Sequence, residues 1–206
     1  MKINKYDSGL LHSCMYVVED NGHAIIIDPC VNTDCAENLI IDFIVLTHEH
    51  YDHISGVNIW KEKTKAPVVC SEKCSVNIMD SKKNMSRYFD VFCEMQTWIP
   101  KEELHIQSVK YVCCADSTFN NTTSFTWQNH IIELMEIPGH SAGSIGIKID
   151  NEHFFSGDSL LEKEPIELRF PGGSKKQWEL IGKERIENLK KGIRIWPGHF
   201  DDFILL

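Results

Sequence analysis

The chain has 206 residues, of which 42% are hydrophobic and 25% are charged, and its formal net charge is −9. This length and composition predict a single globular domain over residues 1–206. The acidic balance argues against nucleic acid as a partner, because proteins bind phosphate backbones through clustered cations. The sequence shows no apolar segment of the length that a secretory signal or a membrane span needs. We therefore expect a cytoplasmic protein without a membrane partner.

The sequence contains eight cysteines, which we expect to be free thiols because the reducing cytosol disfavours disulfides. Two pairs, in "CVNTDC" and "CSEKC", have spacings that a zinc site built from four cysteines would also tolerate. Neither pair has the tight C-x-x-C turn that is typical of such sites. We therefore favour the interpretation that these cysteines are small apolar residues of the core.

Hydrophobic runs in the first half of the chain alternate with segments of helical spacing. The runs "HAIIIDP" (23–29) and "DFIVLTH" (42–48) each predict a short buried strand. The segment "DCAENLIIDF" between them has helical spacing, as does "ISGVNIWKEK" after the second run, and "APVVCS" predicts a further strand. This alternation predicts an α/β fold with buried strands.

The second half of the chain opens with a segment, about residues 80–107, that has no clean period. We expect it to be helical before Phe89 and extended afterwards. Farther along, "HIIELMEI" predicts a strand that ends at Ile137, and two more strands are predicted after "AGS" and in "HFFSGD". A helix over residues 174–191 and a last short strand in "GIRIWPGH" complete the predicted elements.

Polar loops at the ends of the predicted strands carry the chemically distinctive residues. These are His48, His50, Asp52 and His53 in "THEHYDH", His140 in "PGHSAGS", Asp158 in "SGDSL" and His199 in "WPGHF". Ligands of open α/β sheets collect at the carboxyl ends of strands, so we expect these side chains to converge. Imidazole and carboxylate groups suit Zn²⁺ and, with other geometries, Fe²⁺ or Mn²⁺. Seven donors are enough for two metal ions.

A single histidine near a strand end is more often a hydrogen-bonded structural residue than a metal ligand. We interpret the remaining five histidines in this way: His12, His23, His105, His130 and His153.

The succession H-x-H-x-D-H, G-H-S-x-G-S, S-G-D and P-G-H resembles the metallo-β-lactamase superfamily over nearly the whole chain. The resemblance is to compact proteins of the glyoxalase II (hydroxyacylglutathione hydrolase) type, and it implies a four-layer αββα sandwich. It also implies a dinuclear metal site, for which two Zn²⁺ are expected, with Fe²⁺ or Mn²⁺ as alternatives. The first metal ion would be held by His48, His50 and His140, and the second by Asp52, His53 and His199.

Within this resemblance, three carboxylates have implied roles. Asp158 would bridge the two metal ions, so that Asp52 and Asp158 are the expected catalytic carboxylates. Asp28, which ends "IIIDP", would be a buried carboxylate that supports the ligand loop. The residues alone identify Asp28 only as a turn residue.

The implied reaction is hydrolysis of a small thioester or ester by a metal-activated water. A lactonase or phosphodiesterase of the same superfamily is an alternative. An iron-dependent oxidoreductase similar to the persulfide dioxygenases is another, and for it His48, His140 and Asp158 would suffice. From a different class, the chain could be a binding or scaffold protein that holds metal only for its structure.

The segments around the predicted site depart from the family pattern. Glyoxalase II proper has a helical C-terminal domain, whereas seven residues follow His199 here, so recognition of glutathione is left open. Compact relatives often carry Gly-Arg-x-Asp before Pro-Gly-Gly, where this chain has "IELRFPGG" with Glu167 and Arg169. We expect Arg169 to bind an anionic part of a small-molecule substrate. Asn84 and Ser86 in "DSKKNMS" match a substrate-proximal segment weakly.

Overall fold

The computed structural model describes residues 1–94 and 107–206. The first of its two sheets contains six strands within the described residues, and neighbouring strands follow chain order. The first three strands pair antiparallel and the remaining pairs are parallel. The strands are β1 (Lys2–Asp7), β2 (Cys14–Asp20), β3 (His23–Ile27), β4 (Ile40–Val45), β5 (Val68–Ser71) and β6 (Ser117–Phe119).

The second sheet also contains six strands among the described residues, in the order β12-β11-β10-β9-β8-β7. Neighbouring strands of this sheet pair antiparallel, except β10 and β11, which pair parallel. The short last strand pairs with β11, so that part of the apolar tail "FILL" lies at this edge of the sheet. The strands are β7 (Thr122–Trp127), β8 (His130–Glu136), β9 (Ile145–Ile149), β10 (His153–Gly157), β11 (Arg194–Pro197) and β12 (Phe203–Ile204).

Short helices cover the outer faces of both sheets. A π-helical turn, Trp178–Gly182, joins the last two α-helices into one continuous segment, and 3₁₀ turns occur at Asp34–Ala36 and Ser86–Tyr88. The α-helices are α1 (Tyr51–Ile54), α2 (Val57–Thr64), α3 (Glu72–Asn77), α4 (Phe89–Glu94), α5 (Lys175–Gln177) and α6 (Lys183–Glu187).

Side chains that alternate along each strand divide the core into layers. Tyr16 and Val18 of β2 pack between the two sheets, against residues such as Ile147 of β9. Met15 and Val17, which point to the other face of β2, pack in the outer cluster that contains Trp60 of α2. A third cluster covers the outer face of the second sheet. The layers are helix, sheet, sheet and helix, which confirms the predicted αββα sandwich.

Two local predictions were wrong. The segment "DCAENLIIDF" is not a helix beyond the 3₁₀ turn Asp34–Ala36, because Ile40 and Ile41 already pair with β3. The chain after Phe89 is helical through Glu94 instead of extended. Residues 95–106, which include His105, lie outside the described residues. Strands β1, β2, β6, β7 and β12 had no counterpart among the predicted elements.

Two further expectations concern the state of the cysteines and the presence of membrane-spanning helices. All eight cysteines lie in the described part of the chain as free thiols. The groups of possible metal ligands found there contain no cysteine, so they give no support to a zinc site of cysteines. No helix of the described chain combines the length and the apolar character needed to cross a membrane.

The two sheets are hydrogen-bonded to each other close to the predicted ligand loops. The hydroxyl of Tyr16, in β2, donates to the carbonyl oxygen of Pro197 at the end of β11, at 2.6 Å. The next contact is between backbones, from Cys14 N to Gly198 O at 2.7 Å. These bonds fix the loop that carries His199 against the first sheet.

Replacement of Tyr16 by phenylalanine tests this connection. Tyr16→Phe leaves the Pro197 carbonyl without its buried donor, so we expect the free energy of unfolding to fall by about 1–2 kcal/mol. Urea denaturation measures the change. Tyr88→Phe, at a ring that is half exposed, is the matched control, and equal midpoints for the two variants would contradict the prediction.

Candidate metal centre

The ligand loops of both sheets meet at one edge of the sandwich. The first loop follows β4 and enters α1, the second joins β8 to β9, and the other two follow β10 and β11. Their side chains are buried or nearly so, and Asp158 is 13% exposed. The structure brings together all seven side chains that the sequence singled out: His48, His50, Asp52, His53, His140, Asp158 and His199.

The first group of possible ligands consists of three histidines from two loops. The donor atoms of His48, His50 and His140 all lie within 4.8 Å of one another. Their rings are mutually edge-on, with centroids 4.7 to 5.0 Å apart. This group draws on both sheets, because His140 lies between β8 and β9.

The second group contains one carboxylate and two histidines. Nε2 of His53 and Nε2 of His199 each lie 3.4 Å from Asp52 Oδ2. The donor atoms of the three residues again fall within 4.8 Å. This group also joins the two sheets, since His199 follows β11.

Asp158 lies between the two groups. Its Oδ1 is 3.4 Å from His53 Nε2, and its Oδ2 is 3.4 Å from His199 Nε2 and 3.5 Å from His140 Nε2. One carboxylate is thus within reach of donors from both groups, the position that a bridging ligand needs.

The imidazoles of His48 and His53 are held by hydrogen bonds on the side of the ring that faces away from the site. His53 Nδ1 donates to Asp28 Oδ2 at 3.0 Å. The Thr47 hydroxyl donates to the same carboxylate at 2.5 Å and lies 3.0 Å from His48 Nδ1. We assign the ring hydrogen of both histidines to Nδ1, because each Nδ1 faces an acceptor. The Nε2 lone pairs therefore point into the site.

Histidines from the second sheet are held in the same way, by backbone carbonyls. His140 Nδ1 donates to the carbonyl of Glu167 at 3.0 Å, and His199 Nδ1 donates to that of Leu11 at 3.0 Å. Both rings therefore also present Nε2 to the interior. Outer hydrogen bonds of this kind fix the tautomer and orientation of metal-binding histidines.

His50 is held through its other nitrogen, Nε2, and presents Nδ1 to the interior of the site. Its Nε2 lies 3.4 Å from the Pro171 carbonyl, so Nδ1 faces inward, where it meets His140 Nε2 at 3.0 Å. Two lone pairs at this distance repel unless a cation lies against both. Within the described chain, other buried site atoms have no hydrogen-bond partner, namely His48 Nε2, His53 Nε2 and Asp158 Oδ1. The donor set fits divalent metal ions.

The two groups differ in their electrostatics. Burial holds the pKa of His48 well below its usual value and lowers the pKa of His140 to about 4, so these ligands are neutral imidazoles. Burial also disfavours charge on His53, but Asp52 and Asp158 outweigh it and raise its pKa to about 9. Asp52 and Asp158 thus stabilise positive charge at this side of the site, as a site for cations requires.

Asp28 could be taken for a ligand, since it forms a third compact group with His48 and His53. Its oxygens are already bound, however, to the Thr47 amide at 2.7 Å, the Thr47 hydroxyl and His53 Nδ1. Its backbone has φ = +52°, a left-handed conformation that aspartate tolerates better than most residues. Burial raises the pKa of Asp28. The geometry gives it a supporting position behind the ligand loop.

Comparison with known proteins agrees with this geometry. Residues 8–199 match the sequence model of the metallo-β-lactamase superfamily. The chain belongs to this superfamily.

Individual relatives are distant. A hydroxyacylglutathione hydrolase of Photorhabdus laumondii is 26% identical over 170 residues, which cover 80% of this chain and 53% of that protein. This chain spans about half the length of the curated relatives it matches.

Solved structures show the superfamily fold over nearly the whole chain. The BLEG-1 B3 metallo-β-lactamase has a TM-score of 0.80 at 23% identity, with 98% of this chain and 94% of that chain covered. TTHA1623 in a di-iron-bound form has a TM-score of 0.72 at 20% identity and the same coverage. At these identities the likeness concerns the fold.

The residues that the sequence placed near the substrate have different positions. Arg169 lines the cavity above the metal centre, with its guanidinium bound to Glu167. Asn84 and Ser86 do not line it, because both are buried and bonded to backbone carbonyls, among them that of Tyr111. The structure corrects their expected placement.

Glu49 was missed by the sequence analysis, which gave it no role. Its buried carboxylate accepts hydrogen bonds from Asn77 Nδ2 at 2.7 Å and Ser141 Oγ at 2.8 Å, with the Gly143 amide at 3.4 Å. It therefore ties the loop of His48 and His50 to the loop of His140. The sequence carried no signal for this role, because Asn77 and Ser141 are distant from Glu49 along the chain.

Glu49→Gln tests this tie. An amide removes the charge that strengthens all three hydrogen bonds to Glu49, and its NH₂ can face only the Ser141 hydroxyl, which must then accept instead of donate. We expect a loss of about 1–3 kcal/mol in the free energy of unfolding and a metal affinity about tenfold or more weaker.

Chemical denaturation in chelator measures the first effect, and competition with a metal indicator measures the second. Glu62→Gln, on the exposed side of α2, is the matched control. If Glu49→Gln binds metal as tightly as this control, Glu49 does not hold the two loops together in the way we infer.

Proposed function

We propose that this protein is a hydrolase of small thioesters or esters that uses two divalent metal ions. Zn²⁺ is the first candidate, and Fe²⁺ or Mn²⁺ are alternatives. The observation that carries the proposal is the set of inward-facing imidazole lone pairs, each fixed by a hydrogen bond on the opposite side of its ring. Such a set has no use in a metal-free interior, because buried polar atoms without partners are costly.

The ligand assignment follows the two groups. We propose that one metal ion is held by His48, His50 and His140, the other by Asp52, His53 and His199, and that Asp158 contacts both. When bound, two divalent ions lower the pKa of a shared water and polarise the substrate's carbonyl oxygen.

The cavity supports hydrolysis through the residues it lacks. Among its described lining residues there is no serine, threonine, cysteine or lysine, so these residues offer no hydroxyl, thiol or amine nucleophile there. Asp52 and Asp158 both line the cavity, where their carboxylates can orient a water and accept its proton. We therefore propose that water is the nucleophile.

The bond that is hydrolysed, the metal and the cellular compartment are proposed from less direct observations. The relatives named hydroxyacylglutathione hydrolase favour thioesters, although this chain covers only about half of their length. The di-iron-bound form of one structural neighbour makes iron a metal to test beside zinc. Eight cysteines without a disulfide suit a reducing compartment, so we propose the cytoplasm.

Metal content and turnover test the proposal together. We expect elemental analysis of the purified protein to find about two metal ions per chain. We expect hydrolysis of simple thioesters to be lost in chelator and restored by added Zn²⁺, Fe²⁺ or Mn²⁺. One iron per chain with oxygen uptake on a persulfide would instead identify an iron-dependent oxidoreductase.

Asp158→Asn separates catalysis from a purely structural metal site. We expect its turnover to fall about 100-fold or more while the circular dichroism spectrum is retained, because an amide is a poor bridging ligand. Asp34→Asn, at an exposed aspartate, is the control with normal turnover. A wild-type protein that binds metal and hydrolyses none of a panel of thioesters, lactones and phosphodiesters would overturn the proposed activity.

A further inference from the structure

The cavity above the metal centre has a polar floor and largely apolar walls. It encloses about 570 Å³, and His50, Asp52, His140, Asp158 and His199 form the floor. The walls come from five separate segments of the chain. Their large apolar side chains are Leu11, Met85, Phe92, Leu161, Phe170 and Phe200.

Phe170 brings this apolar wall directly against the ligands. Its ring centroid lies 5.8 Å from that of His140, 6.2 Å from that of His50, and 4.7 Å from that of Phe92. A group bonded to a reacting carbonyl at the floor would therefore meet aromatic surface at once.

Met85 is held at the cavity by an unfavourable backbone conformation. Its φ is +68°, which is uncommon for a residue with a long side chain. The Asn84 side chain accepts a hydrogen bond from Ser86 N and donates to the carbonyls of Ile78 and Tyr111, which fixes the turn on both sides. Strain that is maintained beside a site indicates a functional constraint. Here the turn presents an apolar side chain to the cavity.

The described residues give this cavity little attraction for anions. Among its described lining residues, Arg169 is the one lysine or arginine, and its Nε and Nη2 bind the Glu167 carboxylate at 2.9 Å and 2.5 Å. The pKa of Glu167 is held at about 2, chiefly by this hydrogen bonding. Glu164 adds a second carboxylate to the wall. An anionic substrate would have to compete with Glu167 for an 88% exposed guanidinium, where ion pairs are weak.

We propose that the substrate's acyl group is an uncharged, apolar chain that lies along this wall, and that anionic acyl groups are disfavoured. This inference rests on the proposed function for the reaction, but its basis is the lining of the cavity. It replaces the expectation that Arg169 binds an anionic part of the substrate.

A series of acyl thioesters of N-acetylcysteamine tests the chain, with the metal-loaded protein. We expect kcat/KM to rise about threefold to fourfold for each methylene from acetyl to octanoyl, the gain from burying one CH₂. We expect the butanoyl thioester to be preferred about tenfold or more over the succinyl thioester, because burying a carboxylate without a partner is costly. A flat series, or a preference for succinyl, would overturn the inference.

Binding of stable analogues keeps this test separate from the test of the reaction. The S-octyl thioether of N-acetylcysteamine should bind about tenfold or more tighter than the thioether with a terminal carboxylate, as measured by calorimetry. If this preference holds while no thioester is hydrolysed, the proposed reaction is wrong and the apolar site stands. If thioesters are hydrolysed without either preference, the reaction stands and the apolar site is wrong.

Two variants assign the effects to residues. Phe200→Ala, at a half-exposed ring, should lower the ratio of octanoyl to acetyl kcat/KM about threefold or more, since the long chain loses apolar contact. Glu167→Gln frees Arg169 and should raise the ratio of succinyl to butanoyl kcat/KM about fivefold. Glu162→Gln, at a carboxylate paired with Lys163 outside the cavity, should keep the wild-type ratios. Unchanged ratios in both cavity variants would contradict the inference.

Discussion

The orientation of five buried imidazoles depends on the hydrogen bond behind each ring. A histidine side chain that is free to rotate or to exchange tautomers cannot present a lone pair at a fixed point. Here Asp28 fixes His53 directly and His48 through Thr47. Its left-handed backbone costs about 1–3 kcal/mol, which the three hydrogen bonds to its carboxylate offset. The end of β3 is thus strained so that the loop after β4 is rigid.

The second constraint is that ligands from distant parts of the chain must approach closely. Tyr16 and Cys14 of β2 bond to the end of β11, and Ser13 pairs with His199, so the two sheets are joined at the metal centre itself. Gly198 is required at this junction, because a Cβ there would lie 2.1 Å from Asp158 Oδ1. Pairing of β10 with β11 and the absence of a Cβ at Gly198 therefore set the distance between Asp158 and His199 within the second sheet. The bonds between the sheets set the distance from His199 to Asp52 of the first sheet's loop.

Much of this site could be predicted because its ligands follow hydrophobic strands in an ordered set of motifs. The strands at 23–27, 40–45 and 153–157 are short runs rich in β-branched or aromatic residues. Such residues are enriched in strands, so these runs can be recognised in the sequence. The role of Glu49 could not be predicted in this way, since its partners Asn77 and Ser141 are distant in sequence. Tertiary contacts alone determine such residues.

The segment at residues 84–86 shows a different limit. Its polar residues looked suited to a substrate, yet they are used to hold the turn, and the apolar Met85 between them faces the cavity. Residue type predicted the chemistry available there, but the backbone conformation decided which side chain faced the site. Likewise, residue type predicted that Arg169 would bind an anion, but it did not predict that the guanidinium would be paired with Glu167.

Several residues serve the metal centre and the cavity with different atoms. Leu11 and Glu167 hold His199 and His140 through their backbone carbonyls, while their side chains line the cavity. A side-chain substitution at either position leaves the carbonyl in place, so the walls can change without loss of the ligand orientation behind them. This separation explains how the loop after β10 can depart from the family pattern while the ligands are retained. Recognition of the substrate is therefore free to vary around a fixed chemical centre.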